Sequence, residues 1–271
     1  MNYLLYRRRT GGPTCRSISA ASKTGLLAFR NDQVLPEDAE MVFRWGCTSP
    51  FPGDPEVVNR ARSIHRAYAK GSFRALCEVA GVPTPQTWKT PRFMVLPCIV
   101  RPETHHGGFN FHVCNTKEEY FEATAKYPMW YASELIEKQA EFRVYVVSGR
   151  VVMIDRKYPG DPAQIAWNQA QGGKFKYVKW SQWDLDVAKV GINAIKTADL
   201  DFGAADVITD SWGQPYVLEV NSAPSNEAPY HAGVFAKAFD YIVENGKEPI
   251  EPTLRVGWKG YIHPAISEKA L

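Results

Sequence analysis

The sequence has no apolar run approaching membrane-spanning length, so no transmembrane helix is predicted. It has no C-x-x-C pair. The five cysteines, Cys15, Cys47, Cys77, Cys98 and Cys114, are odd in number and widely spaced. Neither a disulfide framework nor a zinc site is therefore expected, and reduced thiols in the cytoplasm are. Charge of one sign is also scarce: 32 basic against 29 acidic residues leave a net charge of +3. That balance argues against nucleic acid as the main partner, as does the lack of a basic, aromatic-studded face. The run Arg7, Arg8, Arg9 is short and follows the strand-like "NYLLY", so it reads as a solvated strand end. The apolar segment before it is too brief for a signal peptide. Repeats and low-complexity tracts are missing too. What is present is an ordinary globular composition, 45% hydrophobic and 23% charged over 271 residues. It has length enough for one large domain or two modest ones.

Short apolar runs separated by turns fill the first sixty positions. "NYLLYR" (Asn2–Arg7), "LLAFRN" (Leu26–Asn31) and "MVFRWG" (Met41–Gly46) read as strands, with a short helix between the first two that ends at Gly25. This alternation predicts a small parallel α/β layer. "TSPFPGDPE" reads as loop. Asn59–Ala80 reads as helix, broken near Gly71 and closed by Gly81. Met94–Pro102 is strand-like, and Lys117–Ala125 is a helix capped by "NT". "EFRVYVVSGRVVMIDRKY" predicts a hairpin turned at Ser148-Gly149, and "FGAADVITDSWGQPYVLEVNSAP" predicts another turned at "DSWGQ". Amphipathic helices are expected over Trp183–Ala198 and Gly233–Glu244.

Within the second hairpin, "YVLEVNSAP" (Tyr216–Pro224) is an apolar strand interrupted by Glu219 and Asn221. Residues two apart on a strand share a face, roughly 6 to 7 Å from one another. A buried carboxylate needs a cation, a donor network or water. The pair therefore reads either as a solvent-facing strand edge or as two oxygen ligands for a hard metal such as Mg²⁺. The hairpin brings Asp206 of "GAADVITD" back against this strand. Two carboxylates and an amide oxygen on one face repel without a cation and are favourable with one or two Mg²⁺ ions bridging to phosphates.

At these residues the chain resembles the ATP-grasp superfamily, whose motif is an acidic residue on one strand and Glu-x-Asn on the next, followed by a small residue and Pro. "FGAADVI" and "YVLEVNSAPS" carry that likeness. "AKGSFRALCEVAGVPTPQTW" is similar to the family's helix that starts near a Lys and runs out at Pro-x-Thr. "CIVRPETHHGGFNFHV" resembles its strand and Gly-containing phosphate loop, "SELIEKQAEFRVYVV" its adenine-holding hinge, and "DRKYPG" with "IAWNQAQGGKF" its substrate segment. The likeness runs in order from Asn59 to Pro224. It implies an α+β fold with two α+β subdomains sandwiching ATP, behind the N-terminal α/β layer. The expected units are 1–58 as that layer, 59–245 as the ATP-grasp domain and 246–271 as a tail.

The resemblance also implies roles. Asp206, Glu219 and Asn221 would hold Mg²⁺ or Mn²⁺. Lys70 would be the first phosphate-binding lysine, with a solvated helix lysine as the alternative. Arg101 stands where the family usually has Lys. It keeps the positive charge but offers a planar fork. Gly107 and Gly108 would let backbone N–H groups approach phosphate, with His105, His106 and Asn110 as added donors; the alternative is a plain surface turn. Glu134 would bond the adenine amino group, Leu135 and Ile136 would line the hinge, and Glu141 would meet the ribose or form a structural salt bridge. Arg143, on the face of Glu141, together with Arg156 and Lys157, would hold the transferring phosphate or a substrate carboxylate. Asn168 resembles a residue near the acyl phosphate, while Trp167 reads as packing.

The implied activity is that of an ATP- and Mg²⁺-dependent carboxylate–amine ligase working through an acyl phosphate on an amino acid, peptide or protein tail. The phrasing "EFRVYVV" and "VLEVNSAPS" leans toward amino-acid and peptide ligases of the glutamate-adding and D-alanine–D-alanine sort. An ATP-grasp-type kinase and a nucleotide-binding protein without turnover are the alternatives. The expected partners are small-molecule, peptide or protein-tail carboxylates and amines, with no membrane.

Overall fold

The computed structural model describes residues 1–8, 11–104, 109–161, 163–224 and 229–247. The first layer is β1 (Asn2–Tyr6), α1 (Gly12–Ala21), β2 (Leu27–Arg30), β3 (Met41–Trp45) and β4 (Glu56–Val58). Its four strands are all parallel, in the order β2-β1-β3-β4. β4 starts on the last residue of the predicted loop "TSPFPGDPE". Its Pro- and Gly-rich approach hides a three-residue strand from pattern reading.

Two helices follow, α2 (Ala61–Tyr68) and α3 (Lys70–Val79). The break falls at Ala69, where ψ is 85°, and not near Gly71. Gly71 lies inside α3 for a packing reason: a Cβ there would stand 2.8 Å from Glu103 Oε2 and 3.1 Å from Tyr131 Cβ. Gly81 ends the segment with φ +68°, in the left-handed region that glycine enters without penalty.

The next unit comprises β5 (Thr87–Trp88), β6 (Cys98–Pro102), β7 (His112–Cys114), α4 (Lys117–Ala125) and β8 (Trp130–Glu134). It forms an antiparallel sheet in the order β5-β8-β6-β7. α4 opens with a reciprocal capping box between Thr116 and Glu119. Only the second half of the predicted Met94–Pro102 strand is extended in the sheet. Its first half follows a 3₁₀ turn at Pro91–Phe93.

The central sheet is built from β9 (Ala140–Val147), β10 (Arg150–Tyr158), β11 (Lys174–Tyr177), then α5 (Leu185–Thr197), β12 (Phe202–Thr209), β13 (Pro215–Asn221) and α6 (Pro229–Asn245). Its strand order is β11-β10-β9-β12-β13, antiparallel throughout. The β9–β10 turn has positive φ at both Ser148 (48°) and Gly149 (72°), the twist that two-residue hairpins favour. α5 covers one face, where Gly191 lets Val144 approach; a Cβ at 191 would lie 2.6 Å from Val144 Cγ1. Arg143 and Tyr145 alternate with Val144 and so face the other side.

One hydrophobic core runs from Leu4, Phe43 and Trp45 of the first layer through Phe235 and Phe239 of α6 to Phe202 and Val144 of the central sheet. It is therefore continuous across position 58. A smaller core around Trp88, Cys98 and Tyr120 belongs to the β5–β8 sheet. All five cysteines are unpaired and buried. Among the described residues no helix is long and apolar enough to cross a membrane.

Candidate active site

A cavity of about 1040 Å³ opens between the β5–β8 sheet, α3 and the polar face of the central sheet. That is at the upper end of small-molecule sites, room for a nucleotide and a second reactant. The alternation of β9, β12 and β13 turns Glu141, Arg143, Asp206, Glu219 and Asn221 into it.

Asp206 and Glu219 face one another in register across β12 and β13, and the register shifts immediately after Asp206. Asn221 Nδ2 donates to Glu219 Oε1 at 3.3 Å. Arg143 grips Asp206 with both arms of its fork, Nε at 2.7 Å and NH2 at 2.8 Å. Lys157, fully buried, bridges Asp206 Oδ2 and Glu141 Oε1 at 2.8 Å each. Lys70 Nζ is paired with Glu219 Oε2 across 149 positions of sequence. Burial alone would raise both carboxyls. Lys70, seconded by Arg101 and Lys157, instead holds Glu219 at about 2. Arg143 and Lys157 likewise hold Asp206 below the usual carboxylate range. Both are ionised at neutral pH.

Glu134, Leu135 and Ile136, expected at a hinge, line the cavity. Glu134 is clamped to Gln86: its Oε1 accepts the Gln86 N–H at 2.8 Å, and its own N–H bonds the Gln86 carbonyl at 3.0 Å. Glu141 is buried, with one oxygen held by Lys138 and the other by Lys157. The salt-bridge alternative for Glu141 is therefore realised in the structure. Asn168 lines the cavity, and its backbone carbonyl accepts from the N–H groups of Gln171 and Gly173 at 3.0 Å each.

Arg101 reaches the cavity from β6 with its Nε buried and without a hydrogen-bond partner among the described residues. Arg156 is not brought to the site. It alternates with Lys157 on β10, so it projects from the opposite face, exposed beside the rings of Phe142 (5.9 Å) and Tyr158 (5.4 Å). His106, Gly107 and Gly108, with His105, lie outside the described residues.

Two lysine- and arginine-type residues escaped the sequence reading. Arg74 stands four residues after Lys70 on α3, the spacing that puts two side chains on one helix face. Its Nε donates to the Leu218 carbonyl at 3.0 Å, and its buried NH1 has no partner among the described residues. The "KGSFR" spacing could have found it. Lys138 packs 4.2 Å from the Trp167 ring centroid while pairing with Glu141. Nothing local signalled that contact. Buried guanidinium N–H groups left unpaired cost about 1 to 3 kcal/mol or more each, and with Arg74 and Arg101 both lining the cavity this wall suits an anion.

The groups that could hold a metal are two carboxylates and an amide oxygen on one cavity wall, Asp206, Glu219 and Asn221. These hard oxygen donors suit Mg²⁺ or Mn²⁺, which would take over part of the charge balance that Lys70, Arg143 and Lys157 supply to Asp206 and Glu219. Among the described residues no group of three or more His, Cys, Asp or Glu side chains gathers to hold a metal ion, so a site here would need the Asn221 amide beside Asp206 and Glu219.

No family model matches the chain, and no curated protein matches it. Solved structures do. The ATP-grasp ligase PsnB bound to a minimal precursor superposes with a TM-score of 0.64 at 15% identity, over 88% of this chain and 98% of PsnB. D-alanine–D-alanine ligase from Bacillus anthracis gives 0.61 at 13% identity, over 90% and 96%. L-amino acid ligase from Bacillus licheniformis gives 0.64 at 15%, over 97% of this chain and 78% of that one. The chain has the ATP-grasp fold. The expected architecture of two α+β units about a central cleft, behind a small parallel layer, is thus the observed one. In this ATP-grasp chain the cavity lies between the β5–β8 sheet and the central sheet.

Proposed function

We propose that this ATP-grasp chain is an ATP- and Mg²⁺-dependent carboxylate–amine ligase acting on an amino acid, peptide or protein tail. One observation carries the reading: two ionised carboxylates and an amide oxygen share a cavity wall with Arg143, Lys157 and Lys70, in a fold whose solved relatives are ligases. PsnB is described with a precursor peptide, Mg and nucleotide, which supports a peptide-type substrate and this cofactor pair.

Mg²⁺ bound at Asp206, Glu219 and Asn221 would neutralise phosphate charge and align the β- and γ-phosphates. Lys70, Arg74 and Arg101 bind the phosphate tail through charge-assisted hydrogen bonds. Glu134, Leu135 and Ile136 seat the adenine, and Glu141 stands at the ribose edge with its lysines. Arg143 and Lys157 face the transferring phosphoryl group and keep a substrate carboxylate in line with it. Attack by that carboxylate on the γ-phosphorus breaks its bond to the β-phosphate oxygen, releasing ADP and leaving an acyl phosphate; a neutral amine then attacks the acyl carbon, phosphate departs and the nitrogen gives up a proton to form the amide. Lys157, dry and paired on both sides, fixes Asp206 and Glu141 relative to each other, so little reorganisation accompanies transfer. Asn168 borders the acyl group. We read 59–245 as the catalytic unit, 1–58 as its supporting layer and 246–271 as a tail. We assign the protein to the cytoplasm on its unpaired buried thiols.

The test is ADP and phosphate release with Mg²⁺ against pooled amino acids and short peptides, with mass spectrometry of the products. A condensation product heavier by one residue supports the ligase and names both substrates. A product heavier by a phosphate overturns it in favour of a kinase.

A further inference from the structure

On the polar face of the central sheet, three carboxylates have lysine or arginine partners: Glu141, Asp206 and Glu219. Asp155 is different. It lies two residues before Lys157 on β10, hence on the same face, and opposite Arg143 in register. It is 0% exposed, yet no lysine or arginine pairs with it among the described residues. Its Oδ2 accepts from the Tyr145 hydroxyl at 3.0 Å and meets His231 Nε2 at 2.9 Å. His231 carries charge only when protonated. Asp155 Oδ1 and His231 Nδ1 are both buried without a hydrogen-bond partner among the described residues.

Two tyrosines stand beside this pair. Tyr177 faces Asp155 in register from β11, and Tyr230 precedes His231 on α6. Their rings are 5.0 Å apart and edge-on, and they remain 37% and 38% exposed. A buried carboxylate with an unpaired oxygen and no lysine or arginine partner is costly unless something positive with N–H donors completes it. Tyr177 and Tyr230, the exposed members of the group, offer aromatic faces to that same guest. An anion would be repelled here, and an apolar group would leave Oδ1 unsatisfied. Asp155, Arg143 and Asp206 occupy one rung across adjacent strands. Asp155 is therefore two strand spacings, about 10 Å, from the metal-binding position. A group bound there could reach an acyl phosphate held at Arg143 once one ammonium proton passes to Asp155 or His231, leaving the neutral amine that attacks.

We propose that Asp155 and His231, flanked by Tyr177 and Tyr230, form the subsite that takes the amine substrate as its primary ammonium ion. This deepens the ligase reading and rests on it for the word substrate.

The test uses the full chain with Mg²⁺ and a non-hydrolysable ATP analogue, labelled at histidine for NMR, with the His231 signal assigned through His231→Gln. The probes are the twenty amino-acid amides, which carry an ammonium and no carboxylate, and the N-acetyl amino acids, which carry the reverse. At least one amide should shift the His231 signal saturably, and Asp155→Asn should weaken that binding tenfold or more. No shift with any amide, a shift with N-acetyl amino acids instead, or binding unchanged in Asp155→Asn overturns the proposal. Should Asp155→Asn fail to fold, Tyr230→Ala carries the test, with a loss of at least threefold expected and none refuting it. No turnover is read, so the two ideas fail separately. Saturable ammonium binding here, with no ADP release in the product assay described above, sinks the ligase and spares the subsite; a condensation product in that assay, with the His231 signal unmoved here, does the opposite.

Discussion

Replacing Lys70 by Met tests the electrostatics on which the whole site depends. Lys70 is the principal cation holding Glu219, which sits at about 2 against an ordinary 4.5. A depression of that size corresponds to on the order of 3 kcal/mol. The side chains are only 10% and 20% exposed, so solvent screening removes little of it. Arg101 and Lys157 share the effect and burial opposes it, so losing Lys70 is taken to cost on the order of 2 kcal/mol. The sign follows from the direction. The folded carboxyl titrates below the unfolded one, so the stabilisation is fully present above about pH 4.5 and is lost as pH falls toward about 2. At pH 7, Lys70→Met should lower the melting temperature by about 4 to 8 °C. The gap between variant and wild type should narrow as the pH drops below 4.5. A double-mutant cycle with Glu219→Gln isolates the pair, and a coupling energy of about 2 kcal/mol is expected. Coupling below about 0.5 kcal/mol would refute the reasoning, because an exposed surface pair gives no more.

Four further outcomes follow from the geometry. Glu219→Ala should cut ADP release by about 10³-fold or more while the protein still melts cooperatively; full activity would remove the metal assignment. Arg101→Ala and Arg74→Met should each raise the ATP concentration needed for half-maximal turnover about tenfold or more, the scale of a lost charged hydrogen bond. An unchanged ATP response in both would mean that phosphate binds elsewhere. Arg156→Ala should leave turnover within about twofold, since its side chain leaves the opposite face of the sheet; a hundredfold loss would show that this exposed residue meets substrate. Gly71→Ala should destabilise by about 1 to 3 kcal/mol, read as a lowered melting temperature, because the new methyl meets Glu103 Oε2 at 2.8 Å and the Tyr131 ring base at 3.1 Å.

Much of the candidate site's arrangement was legible in the sequence, and the reason is local. The i, i+2 spacing of Glu219 and Asn221 puts them on one face whatever the rest of the chain does. The turn "DSWGQ" folds Asp206 back onto Glu219 within a single hairpin. The same alternation places Arg143 with Glu141, and the β9–β10 turn returns Lys157 to them. It also separates Arg156 from Lys157, a consequence that similarity of motif alone had obscured. What tertiary structure alone decided are the meetings between distant segments. Lys70 reaches Glu219 because α3 packs against β13, and Arg74 reaches the Leu218 carbonyl by the same contact. Gly71 is inside a helix because Glu103 and Tyr131 leave no space for a side chain. His231 finds Asp155 only because α6 lies across the central sheet, a pairing over 76 positions. Hydrophobic periodicity specifies which face of an element is buried. It does not specify which distant element covers that face, and the charges at this site are matched across such coverings.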